Sequence, residues 1–315
     1  MLTAKIALTS DCNLRCTYCL IDKDRGESMN RDSISNTLST IIDSPGRDKS
    51  IGIYGGEPML RRDDVEFLIR RARALGMRHG KSVRISVATN GLLLDERALD
   101  FFLAHEVALC VSIDGRHNDR ARMYSNGRGS LKPLLRKLEL VFSRMPDRLV
   151  MALQGVAAQG AESMTENFGY LHALGFRNVN LEVIQGFVWH DARRREFARG
   201  LAELGERVLA CARTDDPVFL HFVNRDLRRL RAGRPDPATM EFDPAGRKSS
   251  IPYPFLHDSQ DNARAARDEA FRPGNEVLAL RQAFSLALAR QILSLRGRSP
   301  RLDRYAQVAC ELGLY

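Results

Sequence analysis

Short apolar runs alternate with stretches of helical periodicity from the start of the chain to about residue 184, and this repeat constrains the fold more than any other feature. Lys5–Thr9, Ser50–Tyr54, Val83–Ala88, Ala108–Ile113, Leu149–Val156 and Val179–Ile184 read as strands. Between them Arg31–Asp43, Asp63–Leu75, Asp95–His105, Leu131–Phe142 and Met164–Leu174 read as helices, and Arg193–Ala212 follows the last strand. Strand–helix alternation of this kind predicts a parallel sheet with right-handed crossovers. The expected class is α/β, a partial (β/α)6 TIM-like barrel with a mostly helical C-terminal extension. Chemistry is expected at the C-terminal ends of the strands.

Beyond Arg193–Ala212 no further parallel strand is predicted. Residues 232–275 are rich in Pro, Asp, Arg and Gly and read as irregular, and Val277–Leu295 and Leu302–Leu312 read as closing helices. The expected division is a core over residues 1–215 and an extension over 216–315, the latter read as a cap over the barrel's open side. At 315 residues, 44% hydrophobic and 28% charged, the composition excludes a disordered chain or a rod. No apolar run reaches membrane-spanning length, and the run around Lys5 has no cleavage site, so a cytoplasmic protein is expected. The net charge of +9 comes from basic residues of which only seven of 48 are Lys. The Arg are scattered along helical stretches, which suits solvated helix faces better than a nucleic-acid groove.

Three of the six cysteines fall within Cys12-Asn-Leu-Arg-Cys16-Thr-Tyr-Cys19, directly after the first strand. Spacing of i, i+4 and i+7 also suits a buried helix stripe, but three Cys at fixed offsets favour a shared ligand role. A structural zinc site would want a fourth Cys or His nearby, and the closest His is His79. Three thiolates can instead hold three irons of a four-iron, four-sulfur cube, which leaves the fourth iron open to an amino acid's amine and carboxylate.

With this Cys triplet the sequence resembles the radical S-adenosylmethionine (SAM) enzymes, over roughly residues 1–215. The resemblance implies one four-iron, four-sulfur cluster on Cys12, Cys16 and Cys19, and SAM as cofactor. It places the backbone of Tyr18 against the adenine, and it gives Gly55, Gly56 and Glu57 to the methionyl ammonium. Thr89 and Asn90 fall at the next strand end, and Ser112 and Asp114 at the ribose-contacting position. Each of these elements taken alone is an ordinary turn; all of them end apolar strands on one rim. Where relatives often offer a basic residue on strand five, this chain has Gln154.

Relatives of this style often carry a Cys-rich C-terminal extension, whereas here the last hundred residues hold only Cys310. Cys110 reads as a buried small residue. Cys310, Tyr253 and His257 are the candidates for substrate chemistry, and Trp189 and His190 suit either pocket lining or packing.

The resemblance implies reductive cleavage of SAM to a 5′-deoxyadenosyl radical, which abstracts a hydrogen from the substrate. The expected substrate is a ribosomally made peptide under modification, as in the peptide-maturase branch, with a separate peptide-recognition protein as a partner. The alternative is a small molecule of natural-product, sugar or nucleoside metabolism, and a non-catalytic iron–sulfur protein ranks last. A flavodoxin- or ferredoxin-type protein is the expected electron donor.

Overall fold

A computed structural model describes residues 2–19, 21–23, 26–184, 187–233, 238–249 and 273–312. The six expected strands are present: β1 (Leu2–Ala7), β2 (Asp48–Tyr54), β3 (Ser82–Thr89), β4 (Val107–Ser112), β5 (Val150–Val156) and β6 (Asn178–Val183). They alternate with α1 (Arg31–Asp43), α2 (Arg62–Arg78), α3 (Glu96–Ala104), α4 (Leu131–Arg144) and α5 (Met164–Leu174), and α6 (Asp191–Cys211) follows. Every pairing from β1 through β6 is parallel and between neighbours in sequence.

Local chemistry sets the helix ends. The Asn30 side chain accepts from Ser33 N at 2.8 Å to cap α1, and the Asp95 side chain caps α3 by accepting from Ala98 N at 2.9 Å. Gly175 ends α5 at φ 114°, a left-handed conformation that glycine adopts without a Cβ penalty. On α2, Val65, Leu68, Ile69 and Ala72 follow the i, i+3, i+4, i+7 stripe and are fully buried against the sheet.

The expectation that no parallel strand follows Arg193–Ala212 is corrected. β7 (Phe219–Leu220) pairs parallel with β6, and β8 (Ala238–Phe242) pairs parallel with β1. A short β9 (Lys248–Ser249) returns antiparallel to β8, giving the order β7-β6-β5-β4-β3-β2-β1-β8-β9. Unpaired edge strands expose a row of backbone donors and acceptors. The segment after residue 215 covers both edges of the six-stranded sheet, so it shares the core's sheet.

α7 (His221–Ala232), α8 (Pro273–Ser294) and α9 (Pro300–Leu312) complete the described chain. They pack on one another, with α8 also against α6 and β6. No helix among the described residues is long and apolar enough to cross a membrane.

Candidate active site

Strand alternation assigns opposite duties to neighbouring residues. Ile6, Ile51, Ile85, Val87 and Val111 face the helices and are fully buried. Lys5, Gly52, Ser86, Cys110, Ser112 and Glu182 line instead a cavity of about 340 Å3, which also contains Cys12, Cys16, Cys19, Tyr18, Gly55, Gly56, Thr89, Asn90 and Arg122.

The glycine pair is required by the approach of the cysteine loop. Gly56 N donates to Thr9 O at 2.7 Å and Glu57 N to Asp11 O at 2.7 Å, so the chain just before Cys12 is laced to the end of β2. A Cβ on Gly56 would lie 2.1 Å from Asp11 O, and one on Gly55, whose φ is +138°, would lie 2.4 Å from Thr9 O.

The Glu57 carboxylate is fully buried. Its Oε1 accepts from Met59 N at 2.9 Å and Thr89 Oγ1 at 2.7 Å, and its Oε2 accepts from Asn90 N at 2.7 Å. Burial pushes its pKa above the ordinary carboxyl value, against the pull of those three donors. Glu57 thus sits behind the cavity wall as a brace between the ends of β2 and β3. Asn90 extends the brace, its Nδ2 donating to Asn13 Oδ1 at 2.7 Å inside the cysteine loop.

A second brace holds the other side of the loop. Tyr18 Oη donates to Asp114 Oδ2 at 2.5 Å, Gly155 N donates to Asp114 Oδ1 at 2.9 Å, and Arg122 Nε lies 3.1 Å from Oδ1. Both carboxylate oxygens are thereby engaged within the protein, and Ser112 is the residue of that motif that faces the cavity. Burial opposes the Arg122 charge, but Asp114 and Tyr18 beside it hold its pKa above the ordinary value. Burial pushes the Tyr18 hydroxyl well up, with Arg122 opposing and Asp114 reinforcing that shift.

Gln154 turns away from the cavity, as strand alternation requires beside the lining residue Leu153, and its Nε2 donates to Met164 O at 3.1 Å. Cys310 lies on α9, partly buried against the apolar core and outside the cavity lining. Trp189 is a packing residue, 1% exposed and edge-on to Phe197, while His190 is exposed ahead of α6. Tyr253 and His257 lie outside the described residues. Cys110 is buried as expected, but on the inner wall, and burial with Glu182 nearby pushes its thiol up to about 12. Sequence reasoning missed Asn13, Arg122 and Glu182, none of which carries a motif of its own.

The donor set suits iron. Burial pushes the Cys12 thiol up to about 11, so a cation is needed to draw out the thiolate. Among the described residues no three Cys, His, Asp or Glu side chains converge on a point suited to a single ion. Three soft thiol ligands around one cavity wall suit a multi-iron cluster, in which each iron takes one thiolate.

A parallel α/β partial barrel with three thiols at the C-terminal strand ends has the donor set and the placement that an iron–sulfur cluster fits. Residues 6–155, just under half of the chain, match the Radical SAM superfamily. Enzymes of the superfamily work with a four-iron, four-sulfur cluster and SAM.

A GTP 3′,8-cyclase of Helicobacter pylori is 31% identical over 140 residues, 43% of this chain and 41% of that protein. The matched stretch therefore spans about two fifths of that relative's length. The native anSMEcpe structure with bound AdoMet aligns at a TM-score of 0.70 and 15% identity, covering 98% of this chain and 100% of that one. Streptococcus suis SuiB bound to precursor peptide SuiA aligns at 0.56 and 12% identity, covering 99% and 70%. At such identities the structural likeness establishes the fold.

Proposed function

We propose that this chain binds one four-iron, four-sulfur cluster through Cys12, Cys16 and Cys19, cleaves SAM reductively beside it, and modifies a peptide substrate. The observation carrying this reading is that all three thiols, the Gly55–Gly56 backbone, Asn90 and Ser112 share one cavity. When bound and reduced, the cluster supplies one electron to the sulfonium, and C5′–S cleavage leaves methionine and a 5′-deoxyadenosyl radical.

The chain's own residues position and shield. Gly55, Gly56 and Asn90 meet the methionine end of SAM, the Tyr18 backbone the adenine, and Ser112 the ribose. Glu57 acts through Thr89 and Asn90, and Asp114 through Tyr18 and Arg122. The apolar and half-buried walls around the cavity keep water from the radical.

Alignment over 99% of this chain and 70% of SuiB, which binds a precursor peptide, supports a peptide substrate. A small-molecule substrate is the second reading, favoured by sequence likeness to GTP 3′,8-cyclase. The test incubates the reduced, iron-loaded protein with SAM, once with GTP and once with short peptides encoded beside its gene. A mass change confined to a peptide supports the first reading, and consumption of GTP overturns it.

A further inference from the structure

The cysteine loop does not stand alone on the rim. Arg15 N donates to Met123 O at 2.7 Å and Thr17 N to Ala121 O at 3.0 Å, so Cys16 lies between two rungs that tie it to the β4–α4 connection. That connection folds back on itself, with Tyr124 N donating to Arg128 O at 3.0 Å and Met123 bridging Gly129. The backbone therefore sets Arg15, Arg120 and Arg128 along one strip beside Cys16, and all three are exposed.

Between Gly115 and Ser130 stand four Arg and a single acid, Asp119. Asp119 accepts from Leu131 N at 2.7 Å at the start of α4. Arg122 turns inward to Asp114, and Arg116 lies 3.4 Å from Glu166, which leaves Arg15, Arg120 and Arg128 against the one exposed carboxylate of Asp119, so the strip's outward charge is positive. The large exposed apolar side chains among the described residues, Leu60, Met77, Leu103, Val188 and Leu280, all lie elsewhere.

We propose that the strip of Arg15, Arg120 and Arg128 is the docking surface for a small acidic one-electron carrier protein, which delivers its electron at the Cys16 side of the cysteine loop. The inference rests on the reading above, because an electron must reach the cysteine loop from outside. Weak redox encounters bury little area, so charge, and not an apolar patch, has to bring the partners together. A basic strip raises the encounter rate with an acidic surface and loses that advantage as salt screens it. Arg15 also donates from Nη1 to Cys12 O at 2.8 Å, so it is left unaltered in the test.

The experiment uses the iron-loaded enzyme and follows 5′-deoxyadenosine formation against the concentration of a reduced bacterial flavodoxin. Dithionite-driven cleavage runs in parallel. The variants are Arg120→Glu with Arg128→Glu, the milder Arg120→Gln with Arg128→Gln, and Arg71→Glu on α2 as a remote charge control.

The double Glu variant is expected to raise the flavodoxin KM about tenfold at low salt, with the dithionite rate unchanged. The double Gln variant should shift KM less, and Arg71→Glu hardly at all. The wild-type KM should itself rise with ionic strength. An unchanged KM in both double variants, an equal shift from Arg71→Glu, or a salt-independent wild-type KM overturns the docking surface. Should the double Glu variant lose iron, the Gln variant and the wild-type salt dependence decide the matter. Failure of dithionite to drive cleavage by wild type would instead overturn the proposed function.

Discussion

Tyr18 and Asp114, 96 residues apart, are joined by a 2.5 Å hydrogen bond that fastens the cysteine loop to the end of β4. The same carboxylate faces Arg122, whose side chain is 12% exposed. Removing one partner of a buried ion pair leaves the other charge uncompensated. Asp114→Asn is therefore expected to destabilise the iron-free protein by about 3 kcal/mol or more, and Tyr18→Phe by about 1 kcal/mol. Urea denaturation of the two variants and their double mutant measures both the costs and the coupling. Additive effects would contradict a shared brace.

Gly56→Ala should disturb the cysteine loop without unfolding the barrel, because the added Cβ would lie 2.1 Å from Asp11 O, one residue before Cys12. Iron retained after reconstitution is expected to fall by more than half, with the far-ultraviolet circular dichroism unchanged. Gly160→Ala, where a Cβ meets nothing within 4 Å, is the control. Full iron loading in Gly56→Ala would remove the argument for close approach.

Glu57 separates two accounts of its motif. As a brace, its oxygens accept from Met59 N, Thr89 Oγ1 and Asn90 N. Glu57→Gln turns one acceptor into a donor among donors, at a cost of about 1–3 kcal/mol. SAM affinity should weaken along with stability, as Asn90 loses its support. A Glu57→Gln protein with weakened SAM binding and wild-type melting would point to direct contact with the cofactor instead.

The six strands and the helices between them were legible because β1–β6 are apolar runs bounded by turns, and α2 and its neighbours carry full helical stripes. β7 was not, since two residues, Phe219 and Leu220, are too few to show alternation. β8 lies inside the 232–275 stretch that reads as irregular from its Pro and Asp content, and its pairing with β1 spans more than two hundred residues, which no local pattern encodes. Within the site, the Cys triplet was legible from spacing alone. The inward turn of Arg122 and the bond from Asn90 to Asn13 depend on side-chain direction across distant loops. Gln154 stands where relatives offer a basic residue, and strand alternation beside the lining Leu153 turns it instead to the start of α5.

The pairing of β8 with β1 carries a further expectation. Deleting residues 216–315 removes five register partners of Leu2–Ile6 and exposes the edge next to the cysteine loop. The truncated chain should aggregate, because an open, apolar strand edge templates further pairing. Static light scattering after expression would show this, and a monomeric truncated chain that still loads iron would make the core independent of its extension.

The most direct test of the central claim is the product analysis of anaerobically reconstituted protein given dithionite and SAM. About four irons and four sulfides per chain are expected, with 5′-deoxyadenosine and methionine formed in equal amounts. Cys16→Ala should lose both the iron and the cleavage. Iron-loaded wild-type protein that leaves SAM intact, or a Cys16→Ala variant that cleaves it at the wild-type rate, would contradict the account.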